Sequence, residues 1–289
     1  MQTLLAINHF LIDTVNTLAT LIKVLLWSRP VKLPVKQHTE MLVLGNGPSL
    51  KTLLANHSGF LKDKDLMAVN HFADTDAYVN VKPAYYMINV PEFWTDQVDA
   101  DVLQKKQRLI KNLVVKTDWP LHLVLGNGAR KSKDWVNLPV QNPNISLHYI
   151  NPTPIEGFKP FRYFCYKHNC GMPRPHNVLI PSLMTAINMA YKTIYVAGAD
   201  HSWLKDLYVA DDNTVYLTQK HFYDAQKAQP DVMKKMGRGQ RRLHEILHKF
   251  MLSFKAYFDI NDYGKSQGVK IYNITPNSFI DAFERKKIL

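Results

Sequence analysis

The sequence predicts an α/β domain built on a doubly wound, mostly parallel sheet, and three observations point there. Apolar runs of strand length alternate with helical patterns from residue 40 to the end of the chain. A glycine turn, Gly45-Asn46-Gly47, joins the first of these runs directly to a helix. Asparagines fall at or just after three predicted strand C-termini, the rim where open parallel sheets bind their ligands.

Taken in order, the N-terminal segment 1–27 repeats Leu4, Leu5, Phe10, Leu11, Val15, Leu18, Leu21, Ile22 and Leu25 at helical spacing. Asp13 and Lys23 interrupt it, so its uncharged stretches fall short of the ~18–20 apolar residues that span a bilayer. It lacks the basic start of a secretory signal. Trp27 and the basic residues Arg29, Lys32 and Lys36 follow, which gives an interfacial helix with an aromatic and cationic border for anionic lipid. Packing on the domain or on a second subunit is the alternative. Residues 1–37 are therefore expected as a membrane-associating helix and basic linker, and 38–289 as the catalytic domain.

Strands are predicted at 40–44, 66–70, 84–88, 121–125, 146–150, 193–196 and 269–272, and helices at 49–56, 96–110, 181–190 and 243–263. Residues 151–181 are Pro-rich and irregular, and a polar, loop-rich stretch covers about 200–242. Long segments without periodicity inside a compact domain are commonly lids.

Composition narrows the partners. The 46% hydrophobic and 21% charged content describes a folded chain, and the 289 residues suffice for one large core or two modest ones. A net charge of +12 calls for an anionic partner. The cations are scattered, with denser groups at Lys105-Lys106, Lys234-Lys235 and Arg238 to Arg242, and no nucleic-acid motif accompanies them. Two cysteines, Cys165 and Cys170, suit a reducing compartment and match no common zinc spacing.

Several constellations bear chemistry. Gly45 and Gly47 are read as allowing positive φ and close backbone approach, with free N–H groups at a helix start for a phosphate and Asn46 or Ser49 as further contacts. A purely structural strand–turn–helix reads the same way. Asn70 and Asn89 end the next two strands, and an amide offers donor and acceptor without charge. Ser182 opens a helix, and Asp200 ends the strand 193–196 in Gly198-Ala199-Asp200. His244-Glu245-Ile246-Leu247-His248 satisfies the His-Glu-x-x-His zinc string, with no third ligand evident. His221, in the lid, is another imidazole able to take a proton near neutral pH. Asp99-Ala100-Asp101 has the letters of a divalent-cation motif but lies in an amphipathic, helix-like stretch, read as solvated surface.

Together these residues resemble the bacterial sialyltransferases of the Campylobacter type (glycosyltransferase family 42) and the related MptE-like proteins. The resemblance runs from about residue 41 to 283 and rests on Gly45-Asn46-Gly47-Pro48-Ser49-Leu50, Asn70, Asn89, Ser182, Gly198-Ala199-Asp200 and Pro276-Asn277-Ser278. It implies a Rossmann-like sheet of the GT-A-like variant and a CMP-sugar donor held by Gly45, Asn46, Gly47, Ser49, Asn70, Asn89, Ser182 and Asp200. It implies no metal and no other cofactor. The family's His-x-x-x-His spacing makes His248 the first choice for general base, with His244 behind it and His221 a close rival. Tyr208 matches the second of the family's two phosphate-assisting lid tyrosines, and Ser202 stands where the first is expected.

The expected activity is transfer of sialic acid or a similar acidic sugar to a glycan or glycolipid acceptor in surface-glycan assembly. The expected setting is cytoplasmic, peripheral to the inner face of the cell membrane, with no nucleic acid and with homo-oligomers possible. A pterin diphosphokinase, a zinc metallopeptidase and a non-catalytic nucleotide-binding membrane protein are the alternatives.

Overall fold

The computed structural model describes residues 2–224, 229–234 and 239–288. Residues 225–228 and 235–238 of the expected lid lie outside the described residues, and so do Lys235 and Arg238 of the basic groups.

The chain opens with helix α1 (Gln2–Trp27) and an extended segment. Five parallel strands follow: β1 (Glu40–Leu44), β2 (Asp65–Val69), β3 (Tyr85–Ile88), β4 (Leu121–Gly126) and β5 (Ile145–Ile150). Helices α2 (Leu50–Asn56), α3 (Ala77–Val81), α4 (Ala100–Lys116), α5 (Lys133–Val136) and α6 (Leu138–Gln141) lie between them. Helices α7 (Lys159–Lys167) and α8 (Leu179–Asn188) then lead to β6 (Thr193–Ala197). A small antiparallel sheet follows, of β7 (Leu207–Val209), β8 (Val215–Leu217) and β9 (Asp231–Val232). The long helix α9 (Leu243–Ser266), β10 (Lys270–Asn273) and β11 (Glu284–Arg285) complete the chain.

The main sheet has eight strands in the order β11-β10-β6-β1-β2-β3-β4-β5, and every paired neighbour is parallel. The chain runs outward from β1 to β5, then returns to the other side of β1 with β6. The strand order therefore reverses between β1 and β6, and there the connections at the strand C-termini diverge and leave a crevice.

Strands β1 to β4 and β6 are buried on both faces, as apolar runs in a parallel sheet require, while β5, β10 and β11 toward the edges are partly exposed. Met41 and Val43 of β1 join the core under α8 and α9, while Leu42 and Leu44 join the core on the opposite face with Leu50, Leu109 and Leu113 of α2 and α4. Successive side chains thus feed two separate cores. The expected seven strands are all present. The expected loop-rich lid carries a sheet of its own, because Val215 and Leu217 turn inward onto Ile246 and Phe250 of α9 and form a third, smaller core.

Helix α1 docks with its polar side inward. Thr17 and Thr20 hydroxyls accept the backbone N–H groups of Phe158 and Glu156 (each 3.1 Å), and Lys23 pairs with Glu156 at 3.4 Å. A Cβ on Gly157 would fall 2.1 Å from Thr17 Oγ1, so the close approach demands glycine. Asn127 and Asn151 fasten the helix end: Asn127 donates to the Trp27 carbonyl, and Asn151 exchanges hydrogen bonds with the Arg29 backbone. The segment expected as a linker is likewise pinned. Val35 and Lys32 carbonyls face Tyr85 and His148, and the Gln37 and His38 N–H groups donate to buried Asp65. Chain on both sides of residue 37 is thus tied to one sheet. By length and composition, residues Thr3–Trp27 are apolar enough to cross a membrane.

Candidate functional site

The reversal between β1 and β6 opens a cleft of ≈ 310 Å³. Its floor is Gly45–Pro48 after β1 and Gly198–Trp203 after β6, and Asn70 and His71 after β2 form one rim. His176 to Leu179 ahead of α8 and Lys249, Phe250 and Ser253 of α9 form the opposite wall. The lid contributes Thr218 to His221 and Tyr223.

The glycine turn works differently from the expectation. Neither Gly45 nor Gly47 adopts positive φ; Gly198 does, at +61°. Both turn glycines are needed for close approach instead. A Cβ on Gly45 would sit 2.5 Å from the Gly198 carbonyl oxygen, and one on Gly47 would sit 2.0 Å from Asp200 Oδ2. Their N–H groups donate to Ala197 and Gly198 carbonyls at 2.8 Å. These two amides therefore stitch β1 to β6, and the phosphate cradle expected of them is not what they form.

Asp200 completes that stitch. Its Oδ2 accepts the Ser49 hydroxyl at 2.8 Å and the Ser49 N–H at 3.4 Å. Burial raises its pKa despite these donors. Ser49 thus faces Asp200 at the start of α2.

The asparagines behave unlike structural turn residues. The Asn46 amide nitrogen donates to the Val69 carbonyl at 3.0 Å, which fixes the flip and leaves Oδ1 buried and unpartnered. Asn70 holds φ at +47° and also buries an unpartnered Oδ1. Asn46 and Asn70 both line the cleft, and each buries an acceptor without a donor, which native structures tolerate mainly where a ligand or water supplies one. Asn89 has the same orphaned oxygen, but it lies against Gly126 outside the cleft lining. Ser182 is fully buried inside α8 and donates to the Val178 carbonyl at 2.8 Å, again outside the lining.

The histidines separate clearly. His221 lines the cleft, stacked on Tyr223 at 5.0 Å, with Nδ1 3.6 Å from Asp224 Oδ2. Burial lowers its pKa, so the imidazole is neutral at physiological pH. His244 and His248, the sequence's leading choices, lie on the exposed face of α9 outside the lining. The cause is helical phase: Ile246, Phe250 and Ser253 take the buried side of that helix, and the two imidazoles fall on its outer side. Glu245 accepts the Arg242 N–H at 2.8 Å and caps the helix. Among the described residues, no three metal-ligating side chains converge.

Tyr208 lies in the lid but outside the cleft lining. It is half exposed on β7, stacked on Tyr216 at 5.4 Å, while Tyr223 is the lid tyrosine in the cleft. Burial raises the Tyr223 pKa, so the phenol stays protonated and can donate. Asp99 pairs with Lys234 at 3.1 Å and Asp101 faces Lys105 at 3.8 Å, both on the surface.

Sequence reasoning missed His71, His176, Asn177 and Lys249. The first follows Asn70 directly, and the next two sit in the Pro-rich stretch that offers no periodic signal. Lys249 follows His248 in sequence but turns to the cleft side of α9. His201, also part of the cleft floor, is largely buried: its Nε2 shares a 2.6 Å hydrogen bond with Tyr257, and burial drops its pKa to about 3.

No family model matches the chain, and no curated protein does. Among solved structures it is similar to a MAf glycosyltransferase from Magnetospirillum magneticum AMB-1, with 9% identity and a TM-score of 0.49 over 90% of this chain. The chain spans 35% of the length of that protein.

Proposed function

We propose that this chain is a glycosyltransferase that moves an acidic sugar from a CMP-activated donor to a glycan or glycolipid acceptor, without a metal ion, at the cytoplasmic face of a membrane. One observation carries the reading: the cleft at the sheet reversal holds two unpartnered amide oxygens, Asn46 Oδ1 and Asn70 Oδ1, together with the neutral imidazole of His221. Oxygens of this kind require N–H or O–H donors, which a cytosine amine and ribose hydroxyls supply. The imidazole supplies the base.

In this reading the acceptor hydroxyl oxygen attacks the anomeric carbon as the bond to the CMP phosphate breaks. The electron pair leaves with CMP, and the hydroxyl proton passes to His221. Asp224, facing Nδ1, orients the ring and leaves Nε2 for the proton. The protonated phenol of Tyr223 donates to the departing phosphate. Placement of Asp99 and Asp101 in surface ion pairs away from the cleft supports the metal-free form.

Release of nucleotide from CMP-, UDP- and GDP-sugars, with and without EDTA, tests this. CMP release unaffected by chelator is expected. A strict metal requirement, or turnover of ATP with a pterin instead, sinks the reading.

A further inference from the structure

We propose that the wall of the cleft formed by His176, Asn177 and Lys249, backed by Arg241, is a subsite for an oxyanion: a phosphate or carboxylate group of one of the two substrates. The identity of those substrates rests on the function proposed above; the subsite itself rests on polarity.

Unpartnered atoms divide the cleft into two halves. On the β1–β2 rim they are acceptors, the oxygens of Asn46 and Asn70. On the α8–α9 wall they are nitrogens. The Asn177 Oδ1 accepts the Tyr257 hydroxyl and the Leu179 N–H, each at 3.0 Å, which fixes the amide and leaves Nδ2 buried without an acceptor. His176 Nε2 and Arg241 Nε are buried and unpartnered as well. Lys249 lines the same wall and, among the described residues, has no carboxylate within ion-pair distance, whereas the lid cation Lys220 is tied to Asp206 at 2.7 Å. Asn177 Nδ2 is a donor without an acceptor on a wall that also carries the Lys249 ammonium, and such a pair suits an oxyanion.

The local field agrees. Burial, then repulsion from Lys249, Arg174, His248 and Arg241, drives the His176 pKa down to about 4. Burial and Arg241 lower that of Lys249, with Glu92 the acid opposing them. Arg174 is already paired with Glu156 at 3.3 Å. Among the described residues Glu92 is the one acid that acts on Lys249, with Arg241 beside it, and an oxyanion relieves the positive charge that remains.

Titration of inorganic phosphate into the full-length protein at constant ionic strength tests the assignment. Saturable binding is expected, weakened about tenfold by Lys249→Gln, as loss of a charge-assisted hydrogen bond predicts. Asn177→Asp keeps the Tyr257 and Leu179 contacts, places a negative charge at the wall, and abolishes binding. Lys255→Gln removes the same charge from the exposed side of α9 and leaves phosphate affinity unchanged. Absence of saturable binding in the wild type, or equal affinity in all three variants, overturns the proposal. Steady-state kinetics then identify the source: a raised KM for the donor in Lys249→Gln assigns the group to the donor, and a raised KM for the acceptor assigns it there. Phosphate binding needs no turnover, so it stands or falls separately from the glycosyltransferase reading.

Discussion

At the scale of single residues, the cleft owes its shape to two glycines, and the proposed chemistry rests on one imidazole. Gly47 packs where a methyl group would meet both Asp200 Oδ2 at 2.0 Å and the Gly198 carbonyl oxygen at 2.7 Å. The carboxylate is held by Ser49 and the carbonyl belongs to the backbone, so neither yields easily. Gly47→Ala is therefore expected to destabilise the fold by about 1–3 kcal/mol, read as a shift of the denaturant midpoint. His221 makes the complementary case for chemistry. His221→Asn is expected to lower kcat by about 10²–10⁴-fold, the usual worth of a general base, with the fold intact by circular dichroism. His248→Asn, on the outer side of α9, should change kcat no more than a few-fold. A base of the proposed kind works as neutral imidazole, so kcat/KM is expected to be lost as pH falls through the His221 pKa. Burial places that pKa beneath the ordinary ~6.5, which makes the profile flat through neutrality and steep only on the acid side. A profile that instead rises through pH 8 removes His221 from the role.

At the scale of elements, what was legible follows from what each element buries. Strands β1 to β4 and β6 are apolar runs sandwiched between two cores, and such runs declare themselves in the sequence. The lid sheet did not, because its strands have two or three residues and, among the described ones, only Val215 and Leu217 are buried. Asn46 and Asn70 were legible as strand-end residues. His176 and Asn177 were not, since they sit in irregular chain whose position only Tyr257 and the start of α8 define. His248 falls outside the cleft lining for a reason of phase: spacing along a helix cannot say which side of it the domain covers. The same helix gives a stability prediction. His201, between β6 and the lid, anchors α9 through Tyr257 and is held neutral with a pKa of about 3. Its unfolded value is ~6.5. Folded-state pKa lies below the unfolded one, so its contribution is complete above pH ~6.5 and is lost as pH falls from there toward 3. The slope from this one group reaches about 1.4 kcal/mol per pH unit. His201→Asn, which suits the local φ of +51°, should flatten the acid limb of an unfolding-versus-pH curve by one proton. An unchanged slope would show that His201 already titrates equally in both states.

For the whole molecule, the decisive feature is the inverted helix α1. Its polar stripe of Thr17, Thr20 and Lys23 meets the domain, and Leu4, Leu11, Val15, Leu18, Ile22 and Leu25 form a continuous apolar stripe facing outward. A soluble surface helix places these faces the other way round. Twenty-six residues span about 39 Å, and Arg29, Lys32 and Lys36 follow the apolar stripe on a chain of net charge +12. We propose that this stripe is seated in an anionic lipid surface, which would hold the cleft beside membrane-borne acceptors. Burying one leucine in lipid is worth about 2 kcal/mol, so Leu18→Asp should lower partition into phosphatidylglycerol vesicles by at least about tenfold. Raising the salt should weaken the wild-type association, because part of it is attraction to headgroups. Leu18 touches solvent and not the docking contacts, so thermal unfolding without lipid should move little. The rival occupant is a second copy of the chain, and one pair of measurements separates the two. If Leu18→Asp leaves vesicle flotation intact but dissociates a dimer in size-exclusion chromatography, the stripe is a subunit contact and the membrane assignment falls.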